Sequence, residues 1–277
     1  MTTATSERFV SHRSPVARER ASCEIRVLGS VAELVESYRL RYEVYNALGY
    51  IQRTNESMLE IDAYDSLSIP FGAFDPVSGA MIGTLRLITA EPQPAYNRLI
   101  RHVIAEFADA SLTKQALEPW RYPLPSIITD EIDRQIEAFN TERFCVNELS
   151  RTIVRPGHRN SGVSRGLMEF GLAHAARFAP ALLIGGCLPE HLPMYARYGY
   201  RKLPHTGLDH FECVGQLANT VVCRTDMLPH PTRAHVDEML RTMESGATEC
   251  TLEISRDARA LYRFAPAQRA RRHTMEW

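Results

Sequence analysis

Asn147 to Leu167 reads NELSRTIVRPGHRNSGVSRGL, and few architectures accommodate it. It opens as a β-branched run, becomes a loop of Arg, His, Asn, Ser and Gly, and then resumes apolar spacing. A strand that turns through glycine into a helix aims several backbone N–H groups at one point, on the positive end of the helix dipole. With Arg155, His158, Arg159 and Arg165 alongside, a phosphate is the natural guest. The plainer alternative is a solvated connection whose glycines only make the turn.

The elements around that stretch set the fold class. CEIRVL (Cys23 to Leu28) predicts a first strand. Ser30 with Glu33 forms a capping box, followed by Val31, Leu34, Val35, Tyr38, Tyr42, Tyr45 and Leu48 at helical spacing. Gly49 stands where a helix C-terminal glycine belongs. IPFGAFD (Ile69 to Asp75) and MIGTLRLIT (Met81 to Thr89) predict strands joined by a PVSG turn. Residues 91–143 carry two amphipathic patterns, one through Leu99, Ile100, Val103, Ile104 and Phe107, the other through Ile132, Ile136 and Phe139. After the opening stretch, with its helix at about Ser164 to Phe178, ALLIGGC reads as a buried strand. PEHLPMYARYG reads as a short helix and NTVVCRTDM as a late strand.

The expected organisation is a disordered arm at 1–22 and a domain at 23–230 with a helical insert at about 91–143. A C-terminal helical extension with a basic tail follows at 231–277. The predicted class is α/β, a mixed central sheet with helices on both faces.

Charge and cysteine usage narrow the function. A net charge of −1 gives no case for nucleic-acid binding. The six cysteines are scattered without a CxxC pair, which argues against a metal site and for reduced thiols in a cytoplasm. The first residues lack the apolar run of a signal peptide, and ALLIGGCL is too short to span a bilayer.

A second cluster lies upstream. LEIDAYD packs Glu60, Asp62 and Asp65 together with no nearby Lys or Arg; if extended, Glu60 and Asp62 share a face. A solvated acidic loop is the bland reading, and the spacing is not that of a calcium loop. Two arginines weigh against it. Arg86 sits inside an apolar strand and Arg41 on the apolar stripe of the first helix, where unpaired charges are costly. Arg41 and Arg86 facing Glu60, Asp62 and Asp65 would form a polar cage in an apolar shell.

RNSGVS (Arg159 to Ser164) resembles the pyrophosphate-binding signature of the GNAT acyltransferases, with Ser164 where Gly or Ala is usual. MYARYGY resembles the helix-to-strand corner of the same superfamily, whose Tyr, here Tyr195, often protonates the departing thiolate. Arg41, Val44, Tyr45, LGY, E-I-D-x-x-D, IGTLRL and ELSR in that order resemble the acyl-homoserine-lactone (autoinducer) synthases. They equally resemble the related N-acyl amino acid synthases, including those that accompany exosortase systems. The resemblance spans about residues 24–204 and implies a GNAT-like acyl-CoA N-acyltransferase fold. Tyr45 and Tyr50 replace the Phe and Trp usual in the lactone synthases, and the insert and C-terminal extension lengthen the chain. Both departures favour an amino-acid acceptor over S-adenosylmethionine.

The resemblance implies an amide-forming acyltransferase whose donor is the acyl-phosphopantetheine of acyl carrier protein, or acyl-CoA, with no permanently bound cofactor. It implies Glu148 as general base, Tyr195 as acid, and N–H groups near Ser150 or Arg151 polarising the carbonyl. Glu60, Asp62 and Asp65 would orient the acceptor ammonium, and one of Arg41, Arg86 or Arg151 would take its carboxylate, with Tyr45 beside them. Arg155, Arg159, Gly162 and Ser164 would hold the donor phosphate. Simple alternation puts Glu148 and Ser150 on one face of the strand and Leu149, Arg151 and Ile153 on the other. Glu148 and Arg151 share the site only if the strand bulges between them.

Acyl carrier protein is acidic, so Arg155, Arg159 and Arg165 are candidates for its docking. The basic tail (Arg256, Arg259, Arg263, Arg269, Arg271, Arg272) would touch anionic lipid as a peripheral membrane contact, or be simply solvated. Three alternatives stand beside the leading one: an autoinducer synthase, a CoA-dependent N-acetyltransferase, and an idle acyl- or CoA-binding module.

Overall fold

The computed structural model describes residues 21–51, 55–89, 94–107, 137, 145–177, 179–211, 215–246, 249–254 and 260–264. The strands β1 (Ala21–Val27), β2 (Ser68–Phe74), β3 (Met81–Thr89), β4 (Cys145–Val154) and β5 (Ala181–Cys187) form the first half of one sheet. β6 (Arg201–Lys202), β7 (Leu208–Phe211), β8 (Gln216–Arg224), β9 (Glu249–Ile254) and β10 (Ala260–Phe264) complete it. The order is β10-β9-β1-β2-β3-β4-β5-β8-β6, with β7 paired to β8. Every pairing is antiparallel except β4 with β5.

Helices cover both faces, as alternating strand and helix patterns require. On one face lie α1 (Val31–Ala47) and α2 (Pro94–Phe107), whose Leu34, Tyr38, Ile100, Val103 and Ile104 bury against Leu59, Phe74 and Met81. On the other lie α3 (Val163–Ala176) and α5 (His230–Glu244); the short α4 (Leu192–Ala196) packs at the end of the sheet. Ser30 and Glu33 cap α1 reciprocally, an arrangement worth about 1 kcal/mol. Gly49 ends α1 at φ 73°, where a Cβ would strain the turn. Asp75 accepts from Val77 N and Ser78 N at 2.9 and 2.7 Å, closing the β2–β3 hairpin at PVSG.

α3 sits unusually close to the strands beneath the site. A Cβ on Gly171 would lie 2.7 Å from Leu149 and 2.8 Å from Leu85, so only glycine permits that approach. Leu149 and its neighbours on β4 are thereby fixed from behind.

Three expectations change. Among the described residues of the C-terminal region, α5 is followed by β9 and β10, which extend the main sheet beside β1. The cause is a two-residue period: Cys250 and Leu252 are buried, while Thr251 and Glu253 between them are only half-buried. β1 begins at Ala21, within the predicted arm, because β9 offers it a partner there. The acidic segment is not extended: Asp62 and Asp65 cap a 3-10 turn, Ala63–Leu67, reciprocally. The second amphipathic pattern of the insert, most of the basic tail and the arm through residue 20 lie outside the described residues. Among the described residues no helix is long and apolar enough to cross a membrane.

Candidate active site

The site originates in β4. Its parallel ladder with β5 covers only Cys145–Asn147 against Ala181–Leu183; beyond that the strands run on to Val154 and Cys187 unpaired with each other. A cavity of about 590 Å³ opens there, lined by Glu148 to Val154 on one side and by Gly186, Cys187 and Leu188 on the other.

β4 bulges as Glu148 and Arg151 require. Arg86 pairs with Ser150 and Thr84 with Ile153, so two steps along β3 match three along β4. The added residue is absorbed at Arg151, whose φ of 55° is costly for a side chain other than glycine. Its effect on side-chain direction is direct. Arg151 reaches Glu60 and Asp62 on the α1 face, Ile153 packs in the α1 cluster, and Thr152 turns to Met168 of α3 at 3.5 Å. Glu148, Ser150 and Arg151 therefore share a face, with the alternation re-phased beyond them.

Arg151 is held in that conformation by a closed ring of charges. Arg41 from α1 donates to Glu60 and, through both terminal nitrogens, to Asp65 at 2.7 and 3.1 Å. Arg86 from β3 donates to Asp62 at 2.6 and 2.8 Å, lies 2.9 Å from Asp65, and gives its Nε–H to Ser150 Oγ at 3.0 Å. Arg151 donates to Glu60 at 3.0 Å and to Asp62 at 2.8 Å. Each arginine meets two carboxylates and each carboxylate two arginines. Burial alone would raise the carboxyls of Glu60 and Asp62; Arg151 and Arg41 around Glu60, and Arg86 and Arg151 around Asp62, more than offset it and hold both ionised.

The cage expected from the sequence is present. Arg41, Arg86, Glu60, Asp62 and Asp65 do not line the cavity. Their side chains pair with one another. What the ring presents to the cavity is Arg151 and Ser150.

Glu148 lies outside the ring. It is 5% exposed, and burial raises its carboxyl from 4.5 to about 8 against the opposing pull of Arg86, Arg151 and a hydrogen bond with Ser150. Across the cavity stands Tyr195 of α4, its hydroxyl bonded with Thr152 and its ring edge-on to Tyr200 at 5.2 Å. Burial, then the neighbouring Cys187, Tyr45 and Glu148, raises the Tyr195 hydroxyl, which keeps its proton at neutral pH. Tyr45 and Tyr50 close the α1 side edge-on to each other at 5.6 Å, with the Arg151 guanidinium 5.6 Å from the Tyr45 ring centre.

The loop that follows β4 ends at Gly162, φ 88°, which turns the chain into α3; Val163 and Ser164, in its first turn, line the cavity. Arg159, His158 and Asn160 line it too. Arg155 does not: its Nε donates to Met81 O at 2.8 Å and its NH1 to Glu43 at 3.0 Å, tying the loop to β3 and α1. Arg165 bonds Glu169 at 3.0 Å toward α5. Asn160 and Thr152 were not singled out for these roles from the sequence. Thr152 was legible only through the bulge, and Asn160 through its tolerance of a positive φ, here 60°.

The sequence profile of the FeeM N-acyl amino acid synthase family matches residues 36–215. No curated protein matches the chain in sequence. Solved structures similar in fold include FeeM, TofI and BjaI. FeeM, an N-acyl amino acid synthase from uncultured soil microbes, has 16% identity over 78% of this chain and 95% of that one, with a TM-score of 0.49. TofI, solved with an inhibitor and MTA, has 19% identity over 77% and 96%, at 0.47. BjaI, a CoA-dependent acyl-homoserine lactone synthase solved with SAM and isopentyl-CoA, has 16% identity over 82% and 92%, at 0.45. The family match runs from within α1 through the cage, the bulged strand and the glycine turn to Tyr195, and by it the chain is an N-acyltransferase of the FeeM N-acyl amino acid synthase family.

Proposed function

We propose that the protein moves a fatty acyl group from acyl carrier protein to the α-amine of an amino acid. One observation carries the reading: the bulge at Arg151 sets Glu148 and Arg151 together on one wall of the cavity, with Tyr195 on the other. The family match to N-acyl amino acid synthases supports an amino-acid acceptor.

The steps follow from the positions. The N-terminus of α3, with Arg159 and His158, takes the phosphate of the phosphopantetheine arm. The arm runs into the gap between β4 and β5, where the extra residue of the bulge leaves backbone N–H groups off the ladder to polarise the thioester carbonyl. Glu148, titrating near 8, is matched to an amine: an arriving ammonium favours its ionised form, the carboxylate takes the ammonium proton and releases it to solvent, and it then takes the second N–H proton as the amine attacks. The amine attacks, the C–S bond breaks, and Tyr195 gives its proton to the thiolate. Arg159, exposed beside the cavity, also offers a contact for acidic acyl carrier protein.

The test is to incubate purified protein with acyl carrier protein thioesters or acyl-CoA and a panel of amino acids, with S-adenosylmethionine as a separate acceptor, and to read products by mass spectrometry. N-acyl amino acids formed from the carrier-protein thioester, and absent with Glu148→Gln, are the expected result. Acyl-homoserine lactone would replace the acceptor assignment, and a preference for acyl-CoA would replace the donor. No product with any pair would sink the reading.

A further inference from the structure

Two buried donors behind the cavity wall, Tyr200 Oη and Asn219 Nδ2, have no hydrogen-bond partner among the described residues. Tyr200 is 6% exposed and Asn219 3%. Asn219 faces Cys187 across the β5–β8 ladder, and Tyr200 meets Tyr195 edge-on; Cys187 and Tyr195 both line the cavity. The Cys187 thiol is turned to Leu188 O at 3.3 Å and leaves the Asn219 amide unanswered.

Between these donors and Glu148, β5 carries Gly185 and Gly186, so no side chain of β5 intervenes at these two positions. A Cβ on Gly185 would lie 3.6 Å from Glu148 Cγ, and by strand alternation Gly185, Cys187 and their partners Val221 and Asn219 share that face. Gly185 and Gly186 bring no side chain there, and Tyr200, Asn219 and Glu148 are polar partners of the kind a buried water needs, typically about three. Burial above all, then the fields of Cys223, Tyr195, Glu148 and Cys187, raises the Tyr200 hydroxyl, so it can pass a proton only while receiving another.

We propose that Tyr200 and Asn219 hold a water against the Glu148 carboxyl, and that this water and the Tyr200 hydroxyl return the proton taken from the acceptor amine to Tyr195. The inference rests on the reading of Glu148 as base and Tyr195 as acid. The amine N–H proton goes to Glu148; the Glu148 O–H bond breaks as the proton passes to the water, and the water gives one of its own to Tyr200 Oη. Tyr200 makes no hydrogen bond to Tyr195, so its proton crosses through a second water to Tyr195, replacing the one Tyr195 gave to the thiolate. Water, Tyr200, Tyr195 and Glu148 end as they began, and the net transfer is from amine to thiol. Tyr200 and Asn219 are positioning residues: neither touches substrate.

A crystal structure of the wild-type protein reads the first half. A water within hydrogen-bonding distance of both Tyr200 Oη and Asn219 Nδ2 is expected; a dry site overturns the proposal. Kinetics read the second half. Tyr200→Phe keeps the ring and removes only the hydroxyl, so kcat should fall about tenfold with KM held, and the solvent deuterium isotope effect on kcat should rise. Asn219→Leu should move the same two quantities in the same direction. Unchanged kcat and isotope effect in Tyr200→Phe overturn the relay, since a purely structural hydroxyl would alter melting alone. A wild-type protein that turns over no thioester sinks the relay together with the acyltransferase reading; a water in the crystal would then still uphold the binding half of the inference.

Discussion

Glu148→Gln should slow turnover sharply and stabilise the fold, and the size of the gain follows from burial. The carboxyl is raised from 4.5 to about 8 in the folded protein, while in the unfolded chain it titrates near its ordinary value. A group raised in this way contributes its full stability below 4.5 and loses it as pH climbs toward 8, because the unfolded chain sheds the proton first. At 1.36 kcal/mol per unit, the loss reaches at most about 3 kcal/mol at pH 7 and about 5 at pH 8. Glutamine is neutral at every pH and nearly the same shape, so it removes that loss. Urea denaturation of wild type and variant at pH 4.5, 7 and 8 should give curves that coincide at the lowest pH and separate progressively above it, the variant the more stable. Activity should fall about 100-fold or more, the contribution of a positioned general base. Equal midpoints at pH 8 would refute the burial argument, whatever happened to activity.

Asp62→Asn leaves Arg86 and Arg151 each short of a charged partner and should cost about 3–5 kcal/mol, read as a fall in melting temperature. Arg159→Ala should raise KM for the donor several-fold with little change in melting temperature; Arg155→Ala should do the reverse, because its contacts are to Met81 O and Glu43. His174, wedged between Phe71 and Phe170 at 4.9 and 4.7 Å, is pushed by burial and then Arg177 from 6.5 down to about 3. The unfolded chain therefore binds a proton that the folded one refuses between those values, and stability falls as pH drops below 6.5. His174→Leu should recover at most about 2 kcal/mol at pH 5 and nothing at pH 8, measured by denaturation at both.

Much of the scaffold was legible because its signals are local. Met81–Thr89 is the strand its apolar run predicts, and the Ser30–Glu33 box and Gly49 mark the ends of α1. The buried arginines were legible for a different reason: a charge on an apolar stripe must be answered, and LEIDAYD clusters three acids between Arg41 and Arg86 in the chain. What the sequence could not supply was direction. Alternation along β4 places Arg151 away from Glu148, and nothing local in ELSRT announces the extra residue. Nor does sequence separate Arg155 from Arg159, four residues apart in one loop, where only the tertiary position of Met81 O decides that the first is structural. β9 was hidden because a short alternating run after a helix reads as more helix until β1 is there to pair with it.

The ring of three arginines and three carboxylates has a mechanical reading. It draws on α1, β3, β4 and the 3-10 turn, and it is electrically closed, with three positive and three negative charges. Most of its charged groups are paired internally, so a ligand charge brought against the buried part of the ring would have to compete with a buried pair. The pairing holds geometry. Left to itself, Arg151 would leave φ 55° for an extended conformation, β4 would regain simple alternation, and its guanidinium would swing to the α3 face, away from Glu148. Two carboxylates from the loop prevent this by gripping Arg151, and Arg41 and Arg86 in turn keep those carboxylates ionised in a buried setting. The ring and Glu148 thus use opposite electrostatics a few residues apart: acids paired so completely that they stay charged, and one left outside so that it titrates near the pH at which an amine must lose its proton.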